Sequence, residues 1–385
     1  ARAQCNLGVM YQSGTGVSKD FTLARQWYQL AADQGDALAQ CNLGLMHLQG
    51  QGAAADLARA HHYFVLAAEQ GNTLAQFNAA MADAWGAPAS ASASEDTAQA
   101  LAWLHSAADQ GYSDALFNLG CQQDPLLQPQ NTPRLAFVAD ATDATAPSPV
   151  PRDSALSYYQ ASAELGNAWA QHNLGVMHAQ GVGVAQDLPG ALALYLQAAE
   201  QGDAPAQYNL ALMLSQGQGG ITDDEGALHY FGLAAAQGHG DAHYNLGVWY
   251  SQDHGAGADF ERALGHYRTA AALGHAPAQF NLGTLSANGF GVAQDYAEAL
   301  QWYQMAADRG LAVAQFQLGA MYSAGQGVAQ NNAQARLQIG PGGQQVFVAQ
   351  QVLKRGLLWH VRTVCHQHPV RDAFDLRRQL FDQRQ

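Results

Sequence analysis

Small and apolar residues recur along the first 36 residues in two separate helical phases. Ala3, Leu7, Met10 and Tyr11 fall on one face of a helix, at the i, i+3, i+4 spacing of an amphipathic element. Ala24, Trp27, Tyr28, Ala31 and Ala32 mark a second. Between them, Gly14-Thr15-Gly16-Val17 is a breaker cluster that ends the first helix. Asp20 then reads as the N-cap of the second, because its carboxylate can accept the unpaired first-turn N–H groups. Gly35 reads as a left-handed stop. Gly8 sits inside the first helix, where glycine costs about 1 kcal/mol against alanine. A glycine placed there predicts a close helix–helix approach that admits no side chain.

The pair, helix A then helix B, recurs. Asn-Leu-Gly occurs at Asn6, Asn42, Asn118, Asn173, Asn245 and Asn281, with looser copies at Asn78, Asn209 and Gln317. From Gly8 the steps are 36, 36, 40, 55 and then 36 four times, to Gly319. The closing glycine keeps the same phase at Gly71, Gly111, Gly166, Gly202, Gly238, Gly274 and Gly310. The counterparts of Asp20 are Asp56, Asp96, Asp187, Asp223, Asp259, Asp295 and Asn331. Such self-similarity marks stacked supersecondary units. The expectation is an all-α solenoid of about nine helix pairs over residues 1–337. Two insertions interrupt it, an Ala/Ser-rich loop at 86–95 and a proline-rich one at 121–152. The pattern stops after Ala335, and Gly340-Pro341-Gly342-Gly343 breaks the last helix. Residues 338–385 fit no repeat and read as a terminal cap or as a stretch translated out of frame.

Gly181-Val182-Gly183, Gly289-Phe290-Gly291 and Gly325-Gln326-Gly327 suggest phosphate loops only superficially. No strand precedes them and no Gly-Lys-Ser/Thr follows, so they read as one turn repeated. Together these units resemble Sel1-like repeats, a branch of the tetratricopeptide superfamily. The match is clear in Ala278, Leu282, Gly283, Gly289, Gly291, Val292, Asp295, Ala299, Trp302, Tyr303, Ala306, Ala307 and Gly310. The resemblance implies antiparallel helix pairs wound into a right-handed α/α superhelix, helix A lining its concave side, and a scaffold or adaptor role. Cysteine-rich members of the family have been described as penicillin-binding or β-lactamase-like, but they pair cysteines within each unit, and this chain does not. It also lacks a Ser-x-x-Lys motif with partners.

Charge and cysteine narrow the picture. Residues 1–335 carry 9 basic and 28 acidic side chains, and residues 336–385 carry 8 and 3. An acidic body argues against nucleic acid, whose phosphates require a basic footprint. No apolar run reaches the roughly 18 residues of a membrane span. Cys5, Cys41, Cys121 and Cys365 read as unpaired, since equivalent positions on stacked helices lie about 8–10 Å apart, beyond disulfide reach. That fits the cytoplasm and leaves the periplasm open. Ala1 lies inside a helix motif without a Met, which places the expected true N-terminus upstream.

Asn is a mediocre helix former, so propensity does not explain its recurrence before Leu-Gly. The candidate site is therefore Asn6, Asn42, Asn78, Asn118, Asn173, Asn209, Asn245, Asn281 and Gln317, an amide ladder for a peptide or protein partner. Hydrogen bonding between units is the other reading of the same pattern. The residue before the Asn is aromatic at Phe77, Phe117, Tyr208, Tyr244, Phe280 and Phe316, and is His172 in one unit. These are partner anchors or core packing between units. His239 and His243, with His275 one unit on, lack the acidic or thiol neighbours that would complete a metal site. The expected function is a non-catalytic interaction scaffold with no metal and no cofactor. The alternatives are a cell-envelope enzyme of the penicillin-binding type, or the repeat region of a larger regulatory protein whose catalytic or membrane part lies elsewhere.

Overall fold

The computed structural model of the chain describes residues 1–82, 93–124, 155–252 and 257–338. Among these residues there are eighteen α-helices and no strand. The chain divides into two compact units, residues 1–242 and 243–385. The first holds α1 (Arg2–Ser13), α2 (Phe21–Ala32), α3 (Ala37–Gln49), α4 (Leu57–Ala68), α5 (Thr73–Ala80) and α6 (Ala93–Asp109). It continues with α7 (Ser113–Gln123), α8 (Ala155–Glu164), α9 (Ala168–Gln180), α10 (Leu188–Glu200), α11 (Ala204–Gln216) and α12 (Asp224–Ala236). Most of α13 (Gly240–Tyr250) belongs to the second unit, followed by α14 (Phe260–Ala272), α15 (Ala276–Asn288), α16 (Tyr296–Asp308), α17 (Ala312–Ala324) and α18 (Asn332–Gln338). Within each unit, consecutive helices pack in pairs and each pair packs on the next, as in a solenoid. Odd-numbered helices are the A helices and even-numbered ones the B helices. No helix of the described residues is long and apolar enough to cross a membrane.

Local chemistry sets the boundaries. Asp20, Asp56, Asp187, Asp223, Asp259, Asp295 and Asn331 each accept first-turn N–H groups of their B helix, as expected of N-caps. The N–H of each bonds back to the end of the A helix, for example Asp20 to the Tyr11 carbonyl at 2.9 Å. Gly35 adopts φ 83°, and its N–H donates to the Ala32 carbonyl, satisfying an end-of-helix acceptor. Gly14, Gly50, Gly181, Gly217, Gly289 and Gly325, each the first glycine of a Gly-x-Gly, end helix A in the same left-handed way, Gly14 at φ 79°. At Gly52 the second glycine lies so close to the preceding B helix that an added Cβ would stand 2.6 Å from the Phe21 carbonyl oxygen. These loops are structural turns that join helix A to helix B of one repeat.

Two boundaries differ from expectation. The backbone is already helical at Ala93, so 93–95 belong to α6, and Asp96 lies inside the helix instead of capping it. Alanine-rich sequence reads as a loop by composition, yet alanine is the best helix former, and here the helix prevails. Residues 121–123 likewise complete α7, with Asp124 as its C-cap. The remainder of both insertions, and the tail from 339 with Cys365, lie outside the described residues.

The core is built of small residues and rings. Ala24, Ala31, Ala39, Ala60, Ala67 and Ala75 are fully buried, and so are Tyr28 and Phe64. Each ring lies on a mid-helix glycine. A Cβ on Gly8 would stand 2.6 Å from the Tyr28 ring, and the same holds within 2.8 Å for Gly44 on Phe64, Gly247 on Tyr267 and Gly283 on Tyr303. The ring hydroxyls are satisfied from helix A: Tyr28 donates to Gln12 at 2.7 Å, and Tyr303 pairs with Thr284 at 3.1 Å. Cys5 and Cys41 are buried free thiols and Cys121 is half-buried. Desolvation pushes their pKa values up to about 11, 12 and 11, so they stay protonated.

Candidate partner-binding face

The face follows from helix geometry. In the A helices that carry a ring-bearing glycine, the Asn stands two residues before it, about 200° around the helix and so on the opposite side. Asn6 is exposed, while Asn42, Asn118, Asn173, Asn209, Asn281 and Gln317 are half-buried. Asn78 and Asn245 are buried, at 6% and 9% exposure, so the row is not uniformly open. Residues four before and three after the Asn flank it on the same side. They include Leu38 and Leu45, Trp169 and Val176, and Pro205 and Leu212. Trp169 is 56% exposed. Among the helical residues of the A helices the only charged side chains are Arg2, Asp114 and Asp241. The acidic excess of the body thus lies elsewhere, in turns and on B helices.

Several rungs are tethered through the same atom. Asn118 Nδ2 donates to the Asp114 carbonyl at 2.7 Å, and Asn209 Nδ2 meets His172 Nε2 at 3.1 Å. Asn78 Nδ2 has no hydrogen-bond partner among the described residues. The Asn positions thus combine hydrogen bonding inside and between repeats with partial exposure.

The aromatic residues before the Asn are engaged in packing. Phe77 tilts against Tyr112 at 5.0 Å, Phe117 lies between Tyr159 and Trp169, and Phe280 meets Tyr303 at 5.3 Å. Tyr208 stacks on His239 at 4.5 Å, and Tyr244 lies 4.4 Å from His275. Phe316 is half-buried. Phe77, Phe117, Tyr208 and Tyr244 thus reach the start of the next A helix, while Phe280 meets a ring of its own repeat. His239 and His275 have a definite local role: each Nδ1 accepts the N–H three residues on, capping an A helix. His243 Nδ1 pairs with His266 Nδ1 at 3.0 Å. No cluster of three or more His, Cys, Asp or Glu placed to hold a metal occurs among the described residues.

One set of residues is not singled out by sequence reasoning. The Gln two positions before the Asn, at Gln40, Gln76, Gln171, Gln207 and Gln279, is buried. Its Nε2 donates to a carbonyl at the end of the preceding B helix, for example Gln40 to Ala32 at 3.3 Å and Gln207 to Ala199 at 3.1 Å. Its Oε1 accepts from a Gln just beyond the following B helix: Gln70 to Gln40 at 2.7 Å, Gln110 to Gln76 at 2.9 Å, Gln201 to Gln171 at 2.7 Å and Gln237 to Gln207 at 2.9 Å. One carboxamide thus clasps three helices. The signal was present as an Ala-Gln pair in phase with every Asn except those of α7 and α13.

The Sel1-repeat sequence model matches residues 1–36, 37–72, 73–112, 149–167, 170–203, 204–239, 240–275, 276–311 and 312–337. Among solved structures, the chain is similar to a protective antigen present in uropathogenic Escherichia coli strains and displaying an SLR fold. Identity is 27% over 99% of this chain and 84% of that one, with a TM-score of 0.57. It is also similar to a Sel1 repeat protein from Oxalobacter formigenes, at 27% identity over 83% of this chain and 75% of that one, with a TM-score of 0.39. An immunity protein from Pseudomonas aeruginosa matches at 21% identity over 61% of this chain and 81% of that one, with a TM-score of 0.35. Only the first superimposes closely enough to bear on the fold. No curated protein matches. With nine matched repeats reaching from residue 1 to 337, the chain belongs to the Sel1-repeat family.

Proposed function

We propose that this chain is a non-catalytic scaffold that binds a partner peptide or protein on its helix-A face. Sel1-repeat proteins are generally protein–protein interaction scaffolds, and their fold is typically non-catalytic. The observation that carries the reading here is the recurring, half-exposed amide on a face almost without charge. Such a face offers hydrogen bonds and apolar flanks, which suit a peptide backbone with small apolar side chains. It offers little to a strongly charged ligand, so binding should depend weakly on salt.

The test is capture by the chain carrying Asn42→Ala, Asn173→Ala, Asn209→Ala and Asn281→Ala together. The expected outcome is loss of a partner that the unaltered chain retains at both low and high salt, with helicity unchanged. A variant that keeps its partner, or that loses its fold, would assign the Asn row to repeat stacking instead.

A further inference from the structure

We propose that the Asn209 carboxamide is a proton-operated switch: protonation of His172 reverses which end of the amide faces outward. His172, on α9, lies between two side chains of the next repeat. Its Nδ1 is 3.5 Å from Asp203 Oδ2, and its Nε2 is 3.1 Å from Asn209 Nδ2. Asp203 is held in place because it caps α11, accepting the Ala206 N–H at 2.8 Å. A carboxylate only accepts, so the neutral imidazole carries its proton on Nδ1 and turns the Nε2 lone pair to Asn209. The Asn209 NH2 group donates to it, which leaves Oδ1 as the outward end.

A second proton, taken from water, has one place to go, which is Nε2. That nitrogen then becomes a donor and faces the amide's own hydrogens. A half-turn of the carboxamide about its last single bond relieves the clash. Oδ1 then accepts from Nε2–H, and the NH2 group points outward. The outward group changes from an acceptor to a donor, with no movement of the backbone.

The ring's surroundings define when this happens. The helices packed on α9 carry Tyr158, Tyr159 and Glu164 on α8, and Tyr195 and Glu200 on α10. Tyr195 is nearest among these rings, 5.8 Å from the imidazole, and burial keeps it neutral by raising its pKa. Desolvation lowers the His172 pKa and outweighs Asp203, the charge that favours the cation among the described residues. The switch therefore operates on the acid side of the ordinary imidazole range, below about pH 6.5. Other repeats place Cys5, Cys41, Phe77, Phe117, Tyr208, Tyr244, Phe280 or Phe316 at the equivalent position, and none of these side chains carries a titratable nitrogen.

The test is side-chain NMR on the full chain, labelled at His and Asn, from pH 8 to 5. At pH 8 His172 should be the Nδ1–H tautomer. As it titrates, the Asn209 side-chain amide resonances should move with the same midpoint. His172→Phe should remove that movement. Should that variant fail to fold, Asp203→Asn replaces it, since Asn72 and Asn167 serve as caps at the equivalent position. It should carry both midpoints to lower pH together. An Nε2–H tautomer at pH 8, Asn209 signals that stay still while His172 titrates, or midpoints that part in Asp203→Asn would overturn the proposal. The readout needs no partner, so it stands or fails separately from the binding role.

Discussion

Gln279 is fully buried, and its Oε1 has no hydrogen-bond partner among the described residues. The cause is one residue. Position 309 holds Arg where the other clasped repeats place a donating Gln, and its guanidinium lies against Gly274. A buried acceptor left unpaired costs about 1–3 kcal/mol, whereas a completed hydrogen bond contributes about 0.5–1.5 kcal/mol. Arg309→Gln should therefore raise stability by about 1 kcal/mol, read as a shift in the urea midpoint at constant slope. Arg309→Ala should not, and equal gains from both would show that removing the Arg, and not completing the clasp, was responsible. The clasp was illegible beforehand for a plain reason. Gln forms helices well and is mostly exposed in proteins, so its recurrence looks like surface. Only three helices brought together show that Gln40 and Gln207 are interior. The Asn was singled out because its low helix propensity made it conspicuous.

Between elements, the glycine–ring contact sets how closely helices A and B approach. Gly283 supports Tyr303, and the Thr284 hydroxyl holds that ring in place at 3.1 Å. Gly283→Ala gains helix propensity worth about 1 kcal/mol but overpacks the ring, which costs about 1–3 kcal/mol. The expected net effect is a loss of about 1 kcal/mol. Tyr303→Leu added to Gly283→Ala should cost less than the two changes summed, because Ala80 and Leu104 already coexist at the equivalent places. Strict additivity in a double-mutant cycle would contradict this. This level was the most legible in the sequence. Capping aspartates, left-handed glycines and a mid-helix glycine each state a local requirement that one residue type meets. The exception is Asp96, where alanines upstream could extend the helix past the expected cap.

Across the whole molecule, stability should depend on pH in a stated direction. Burial is the main cause lowering the pKa of His47, His172, His239 and His266. The unfolded chain therefore binds more protons than the folded one once pH falls below about 6.5. Stability fully present above that value should be lost progressively as pH falls through the lowered folded pKa values. Urea unfolding at pH 7.5, 6.5 and 5.5 would show a falling midpoint, less steep in His172→Phe. A midpoint that holds or rises on acidification would refute the assignment. The period of 36 made the family visible from sequence. The division of the helix-A face into open and closed rungs was not, because Asn245 and Asn281 both carry the Asn-Leu-Gly signature, yet Asn245 is buried and Asn281 half-buried.

The clasp has a consequence for how such a chain changes over generations. Each complete clasp is defined by offsets from its own Gln, eight residues back to a carbonyl and thirty or so forward to a donor, and by nothing that counts from either end of the chain. Duplicating or deleting one repeat in frame recreates the same joint at the seam. Extra sequence is tolerated between helix A and helix B, where both insertions begin, because only the forward reach spans that loop: Gln110 still meets Gln76 although it lies thirty-four residues on. Length is therefore a heritable variable in this architecture, and the extent of the helix-A face can grow or shrink without any new joint having to be selected.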